Sequence, residues 1–205
     1  MVATVFTGCG SMLSVIIATQ ESERSLVQTL AALVPGAAAG LVAEVVVADA
    51  NSSDATAEVA DIAGCRFMAS GEPVGSRFRA AAATVRTPWL MFLHAGTVLQ
   101  PGWIEAVDGF IHAEDLRGGA GRAAVFRRPG TADPMRPALA ELLSLLRLAL
   151  GGRPRPEQGL LIARRFYEDV GRHPDGADAE AALLRRLGRR RIVMLSATGT
   201  RSNNT

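Results

Sequence analysis

The sequence has no lysine, and all 22 of its basic residues are arginine. We interpret this, together with the abundance of alanine and glycine, as a bias of genomic base composition and not as a functional signature. Two cysteines are too few for a disulfide framework, and they lack the spacing of a metal site. Aromatic residues make up 5% of the chain, which argues against a surface that stacks nucleic-acid bases. No nucleic-acid partner is expected.

Long hydrophobic runs are also missing, since none reaches the ~18–20 apolar residues of a membrane-spanning helix. Residues 137–150 predict a helix with a wide apolar face, for which a core or lid position is the commoner explanation and a peripheral membrane contact the alternative. The apolar start carries no positively charged segment of a signal peptide, and residues 1–11 are expected to be a disordered extension. The predicted location is cytoplasmic, with the inner face of the membrane as the alternative.

The composition, 48% hydrophobic and 20% charged, suits one domain with a sizeable core and argues against disorder. The net charge is only +2, yet most of the arginines fall after residue 100. Solvated helix faces explain such a basic half most simply. Attraction to phosphates or to an anionic membrane is the alternative.

Short β-branched runs alternate with helical patterns along the first hundred residues. The predicted strands are residues 13–17, 44–48, 66–69 and 89–93, and the predicted helices are 22–34, 54–63, 76–85 and 101–112. Farther on, strands are predicted at 122–127, 159–163 and 191–196, helices at 165–170 and 177–187, and a polar tail at 199–205. Apolar runs separated by helices are typical of buried parallel strands with crossover helices. We therefore predict a single α/β, Rossmann-like domain with a mostly parallel central sheet flanked by helices.

Polar residues follow several predicted strands, where ligands bind in open parallel sheets. Thr19 follows the first strand, Asp49, Ser52 and Asp54 follow the second, and His94 follows the fourth. A role as helix N-cap would by itself explain Asp54. A purely structural role explains Asp49 less easily, because a carboxylate at the end of an apolar strand must find hydrogen-bond donors.

Three stretches, LSVIIATQESERSLVQTLAAL, EVVVADANSSDAT and WLMFLHAGTVLQPGW, resemble the family 2 glycosyltransferases. More narrowly, they resemble short bacterial members whose fourth strand ends in a His-Ala-Asp-Thr motif. The resemblance covers residues 12–105 and resumes at 157–162 and 183–188. It implies a GT-A fold over residues 12–198, with a nucleotide-binding half at 12–113 and an acceptor-side half at 114–198.

The resemblance also implies roles for single residues. Thr19 and Asp49 would contact the nucleotide, with Asp49 at the edge of the base. Ser52 and Asp54 would shape that pocket, and Arg77 matches a basic residue of the family. The implied partner is a nucleoside-diphosphate sugar.

The family binds a divalent cation, Mg²⁺ or Mn²⁺, through an aspartate at the position of Gly96. Glycine offers no oxygen ligand to these hard cations, so the resemblance implies a weakened metal site. His94 is a weak candidate ligand, and a packed or hydrogen-bonded histidine is the simpler interpretation. Without the cation, arginines such as Arg77, Arg79 or Arg164 would neutralise the leaving diphosphate.

The catalytic base of the family is the aspartate of a Glu-Asp motif. Asp178 matches it if a shift of one residue is allowed, and Glu180 is the second candidate. Acids in the first turn of a helix also favour its dipole, which is the alternative explanation. The implied reaction is inverting transfer of a sugar to an unknown acceptor hydroxyl, on a lipid-linked molecule or a polysaccharide.

Two other functions are weighed against this enzyme. The first is a catalytically impaired module that binds a nucleotide sugar or a partner protein. The second is another phosphate-handling α/β enzyme, which the sequence disfavours because it has neither a G-x-G-x-x-G motif after the first strand nor a P-loop.

Overall fold

The computed structural model of the chain describes residues 13–118, 121–127, 155–176 and 178–201. The strands are β1 (Leu13–Thr19), β2 (Val42–Asp49), β3 (Arg66–Ala69), β4 (Trp89–His94), β5 (Thr97–Leu99), β6 (Ala123–Arg127), β7 (Leu160–Ala163) and β8 (Ile192–Arg201). The α-helices are α1 (Glu23–Ala38), α2 (Thr56–Ile62), α3 (Val74–Thr84), α4 (Trp103–Asp115), α5 (Arg164–Asp169) and α6 (Ala179–Leu187). Short 3-10 turns cover Pro156–Gln158 and Arg189–Arg191.

The strands form one sheet in the order β3-β2-β1-β4-β7-β6-β8-β5. Its first four strands are parallel, and every residue of the central β1 is buried. In register, Thr19 lies opposite Asp49, and Ala18 lies opposite His94. We call the side of the sheet where β1, β2 and β4 end the carboxyl edge, and the opposite side the amino edge.

The second half of the sheet mixes strand directions. The short β7 lies antiparallel between β4 and β6, and β6 pairs in parallel with β8. Ala123 pairs with both Ile162 and Ile192, and Ile162 pairs with Leu90. Strand β8 therefore begins at the amino edge and runs in the same direction as β4. The predicted α/β domain with a mostly parallel sheet flanked by helices is confirmed.

Helices cover both faces of the sheet. On one face, Leu26 of α1 and Trp103 of α4 pack against Val15 in a buried cluster. On the other face, helices α3, α5 and α6 form a second cluster with residues such as Ile16 and Phe78. Successive residues of β1 point to opposite clusters, which explains why the strand is a continuous apolar run.

Helix α1 is longer than predicted. The pair Pro35 and Gly36 was expected to end it at residue 34, but the helix continues to Ala38 with Pro35 inside it. A Cβ added at Gly36 would lie 2.3 Å from the ring of Trp103. Gly36 therefore serves the close packing of α1 on α4, and this tertiary contact outweighs its tendency to end a helix.

The end of the chain also differs from the prediction. The expected polar tail from residue 199 is wrong in its first part, because β8 continues to Arg201. There it pairs antiparallel with β5, a three-residue strand that the sequence did not predict. Backbone pairing, which does not depend on apolar side chains, extends β8 through its polar end.

The other predicted strands and helices are present, with ends that differ by at most three residues. The predictions for residues 1–11 and for the helix at 137–150 lie outside the described residues. Among the residues that the structure does describe, no helix is long and apolar enough to cross a membrane.

Candidate active site

Asp49 forms a buried polar cluster with two of the other predicted site residues. Its Oδ1 accepts hydrogen bonds from Thr19 Oγ1 at 2.6 Å and from Ser52 Oγ at 2.7 Å, and its Oδ2 accepts one from the Ser52 backbone N–H at 2.6 Å. The Asp49 side chain is fully buried. The expectation that this carboxylate would need internal donors is confirmed. Its contact with a base edge stays a prediction.

A second set of hydrogen bonds joins the loop after β1 to the loop after β2. The Glu21 carboxylate accepts bonds from the backbone N–H of Ser53, at 2.8 Å, and of Asp54, at 3.2 Å. In return, Asp54 accepts from the N–H of Glu23 and of Thr56, both at 3.0 Å. Asp54 thus serves the first turns of both α1 and α2. Desolvation raises its pKa, but the hydrogen bond from the Thr56 hydroxyl and those from the backbone N–H groups together outweigh it and hold the pKa below the usual range.

Arg77 lies beneath these two loops. It projects from α3, and its Nη1 donates to the carbonyls of Thr19, at 3.1 Å, and of Ala48, while its Nε donates to that of Glu72 at 3.1 Å. Burial lowers the pKa of Arg77, and the charges of Asp49 and Glu180 partly offset that effect. Its Nη2 makes no hydrogen bond to the described residues, which leaves one amino group of the fork for a ligand.

His94 and Glu180 meet across the carboxyl edge. His94 Nε2 lies 2.9 Å from Glu180 Oε1 and 3.1 Å from Oε2, and about a sixth of each side chain is exposed. Glu180 belongs to the first turn of α6, and Asp178 is the residue just before this helix. Asp178 is exposed and makes no side-chain hydrogen bond to the helix N-terminus. The structure therefore brings one predicted base against His94 and leaves the other at the surface.

A buried tyrosine–histidine pair lies beside these groups. The Tyr167 hydroxyl accepts the backbone N–H of His173 at 3.2 Å, and it lies within hydrogen-bond distance of Nδ1 of the same histidine, at 2.8 Å. The His173 ring packs against Phe78 and Phe92. Burial lowers the pKa of His173 to about 4 and raises that of Tyr167 to about 12, so both are neutral at pH 7.

Gly75 sets how closely α3 approaches the start of α6. A Cβ added there would lie 2.2 Å from the Cβ of Ala179 and 2.6 Å from the carbonyl oxygen of Pro174. No other residue has a side chain small enough for this approach. The position of Glu180, next to Ala179 in the chain, therefore depends on a glycine in another helix.

Gly96 occupies a turn that suits glycine. Its φ is +87°, a left-handed value that residues with a Cβ rarely adopt. Its N–H donates to Thr29 Oγ1 at 2.9 Å and to the Ser25 carbonyl at 3.1 Å. The backbone N–H of Gly96 thus fixes this turn to α1, and no side chain at position 96 is needed for the contact.

The residues present do not fit a divalent cation well. Within the described parts of the chain, no group of three or more His, Cys, Asp or Glu side chains is placed to hold a metal ion. Gly96 offers no side-chain oxygen, and Nε2 of His94 is already bonded to Glu180. A cation here would have to break that bond and would find few of the hard oxygen ligands that it prefers.

The other two arginines proposed for the diphosphate are bound to other groups of the protein. Arg79 pairs with Asp175, which raises the pKa of Arg79, and donates to the His173 carbonyl at 3.1 Å. Arg164 donates to the carbonyls of Val85 and of Thr87, at the start of β4. The prediction for Arg164 is therefore wrong, because antiparallel β7 carries it to the amino edge.

Sequence reasoning did not identify three residues of this region. Gly75, Tyr167 and His173 carry no local motif, since their contacts involve residues distant in the chain. Glu21 was expected only as one of the polar residues that follow the first strand, and its φ of +45° places it in a tight turn.

Comparisons with known proteins point to one family. The family model described as "Glycosyl transferase family 2" matches residues 14–151. No curated protein matches the sequence. Similar solved structures include glucosyl-3-phosphoglycerate synthase from Mycobacterium tuberculosis in complex with Mn²⁺, UDP and phosphoglyceric acid, with a TM-score of 0.67, 20% identity, and coverage of 95% of this chain and 72% of that chain.

The complex of the same synthase with Mn²⁺ and UDP-glucose gives a TM-score of 0.66 at 21% identity, over 95% of this chain and 72% of that chain. A further structure, described as a mycobacterial protein, gives 0.66 at 22% identity, over 95% of this chain and 68% of that one. At these identities the solved structures show a shared fold.

Proposed function

The chain belongs to glycosyl transferase family 2, and we propose that it transfers a sugar from a nucleoside-diphosphate sugar to an acceptor hydroxyl. The observation that carries this proposal is the position of Glu180. It faces the end of β4 across the same edge of the sheet where Thr19 and Asp49 form their cluster. A donor bound at that cluster would present its sugar toward a carboxylate.

On the donor side, each predicted residue has a distinct role in this proposal. Asp49 fixes the Thr19 hydroxyl and the turn at Ser52. Because its carboxylate is fully buried, contact with the edge of a base would require the Ser52 turn to move. Asp54 holds the two loops in register. The structurally similar synthase has been solved in complex with UDP, which supports a nucleotide as a ligand of this fold.

In this proposal Arg77 stabilises the negative charge that develops on the leaving diphosphate. Its guanidinium lies at the ends of β1 and β2, and Nη2 has no hydrogen bond to the described residues. A planar fork of this kind pairs well with phosphate oxygens. Since the site does not fit a divalent cation well, we route no step through one.

Glu180 or Asp178 is the proposed general base. The carboxylate accepts the proton of the acceptor hydroxyl as its oxygen attacks the anomeric carbon. The bond from that carbon to the diphosphate breaks at the same time, and attack opposite the leaving group inverts the configuration. Help of this kind contributes ~10²–10⁴ in rate. Contact with His94 supports Glu180, whereas accessibility to an acceptor supports Asp178.

A donor screen followed by two substitutions tests the proposal. Thermal shifts with nucleoside diphosphates and their sugars identify the donor, and release of nucleoside diphosphate measures turnover with soluble, lipid-linked and polysaccharide acceptors. We expect Glu180→Gln or Asp178→Asn to reduce kcat by ~10²–10⁴ while the donor still binds. Asp169→Asn, at an exposed acid of α5, is the matched control and should keep full activity. If no donor shifts the melting temperature, the proposal fails.

A second candidate is a module that binds a nucleotide sugar without turning it over. Glycine at position 96 and the closed bond between His94 and Glu180 favour it, because both remove ligands that a catalytic cation would need. The same screen separates the two functions. Saturable donor binding with no turnover for any acceptor class would identify the module. Turnover that persists in EDTA would identify an enzyme that works without the cation.

A further inference from the structure

Five arginines form an exposed cluster at the end of α6. We call Arg185, Arg186, Arg189, Arg190 and Arg191 the arginine surface; they are five of the seven residues from 185 to 191. The first two end α6, and the other three make up the 3-10 turn that leads into β8. All five are exposed.

The charge of this surface is not neutralised by acids among the residues that the structure describes. None of the five arginines forms a salt bridge with an acid of the described residues. The neighbouring α5 carries Glu168 and Asp169, which are exposed and make no such pair with the cluster. Arg191 instead places its guanidinium over the ring of Phe166, 5.9 Å from the centroid. The cluster therefore presents uncompensated positive charge to the solvent.

The arginine surface lies away from the candidate active site. Ile192, the first residue of β8, pairs with Ala123 at the level of Leu90, which is near the start of β4. The cluster just before Ile192 is thus at the amino edge, whereas Thr19, Asp49 and His94 end their strands at the carboxyl edge. The surface therefore does not face the proposed donor site, and an anion that pairs with it would be a different partner.

We propose that the arginine surface docks the protein on a membrane of anionic phospholipids. Guanidinium groups pair with lipid phosphates in a bidentate way, and each basic residue near an anionic surface strengthens binding roughly fivefold. Met194, which follows the turn, is 43% exposed and adds an apolar side chain beside the charges. The aromatic ring in contact with the cluster, Phe166, is 6% exposed and so offers no platform for nucleic-acid bases.

Docking in this way fixes the orientation of the protein. With the amino edge against the membrane, the carboxyl edge faces the aqueous phase and stays open to a soluble donor. The inference does not depend on the proposed function, since it concerns a surface that contains none of the site residues.

Vesicle flotation tests the proposal. Pure protein is floated with vesicles of phosphatidylcholine alone and with an equal mixture of phosphatidylcholine and phosphatidylglycerol, at low and high salt. We expect binding to the mixed vesicles at low salt only, because salt screens surface charge. The variant R185Q/R189Q/R190Q should bind roughly a hundredfold less, from three contributions of about fivefold each. It leaves the contact of Arg191 with Phe166 intact.

The control variant R24Q/R127Q/R172Q removes the same charge from exposed arginines elsewhere that form no salt bridge with the described residues. It should keep most of the binding, and both variants should melt at the temperature of the unmodified protein. Three outcomes would overturn the proposal: no binding to the mixed vesicles, an equal loss in the control, or displacement from vesicles by duplex DNA at the same phosphate concentration. The last would assign the surface to nucleic acid.

Discussion

Replacing Gly75 with alanine adds one methyl group at the contact between α3 and α6. The new Cβ would lie 2.2 Å from the Cβ of Ala179 and 2.6 Å from the Pro174 carbonyl, where ordinary contacts begin at 3.4 Å. Neither neighbour is the tip of a flexible side chain, so the two elements must separate by about 1 Å. Overpacking of this kind costs ~1–3 kcal/mol.

The matched control is Gly109→Ala in the middle of α4, where nothing lies within 4 Å of the added Cβ. There alanine should stabilise the helix by ~0.5–1 kcal/mol, because glycine loses more backbone entropy on folding. Both variants make the same chemical change inside a helix. The difference between their free energies of unfolding therefore isolates the steric term, expected at about 1–3 kcal/mol, and urea denaturation of both proteins measures it.

The same displacement should reach the candidate site, because Ala179 precedes Glu180 in α6. A shift of about 1 Å at a reacting group can cost ~10² in rate. Release of nucleoside diphosphate should therefore fall in Gly75→Ala and stay unchanged in Gly109→Ala. Equal stability of the two variants would refute the close packing, and with it the link between Gly75 and Glu180.

Two further predictions concern the core and its titration. Arg122 makes two hydrogen bonds to the buried Oε1 of Glu114, and Arg117 lies 3.6 Å from the same atom. Because Arg117 stays beside the carboxylate, Arg122→Met should lower the free energy of unfolding by ~1–3 kcal/mol in urea denaturation. A double variant with Glu114→Leu should recover most of this loss, and no recovery would contradict the ion-pair explanation. Burial lowers the pKa of His173 from 6.5 to about 4. Between these two pH values the unfolded chain binds a proton at this histidine and the folded protein does not. The free energy of unfolding should therefore fall by on the order of 3 kcal/mol as the pH drops from about 6.5 to 4. Thermal melts across that range should lose this slope in His173→Gln; an unchanged slope would show that His173 does not cause it.

The parallel half of the fold follows from the sequence because its signals are local. The runs that became β1, β2, β3 and β4 are β-branched or apolar, and turn residues bound each of them. In a doubly covered sheet such runs have few alternatives. The rule that ligands bind beyond strand ends then led to Asp49, whose need for internal donors Thr19 and Ser52 meet.

The remaining features depend on contacts that a local pattern cannot encode. Helix α1 continues beyond Pro35 because Gly36 packs against Trp103, a residue that is distant in the sequence. Strand β5 has three residues, too few to show a period, and it exists through pairing with the end of β8.

In the candidate site, too, some features have local sequence signals and others depend on contacts between distant residues. His94 and Glu180 are 86 residues apart, and nothing near either one marks the other as its partner. Similarly, Arg164 looked equivalent to Arg77 by residue type. The reversal of strand direction at β7, which no local pattern reveals, places it at the opposite edge.

The hydrogen bonds between the loops after β1 and β2 have a consequence for affinity. Glu21 and Asp54 each bind backbone N–H groups of the other loop, so the two segments are ordered before any ligand arrives. Ordering a flexible loop upon association costs conformational entropy that is subtracted from the binding free energy. If the proposed function holds, a nucleotide that enters here meets loops whose shape is already set, and more of its contact energy is retained as affinity.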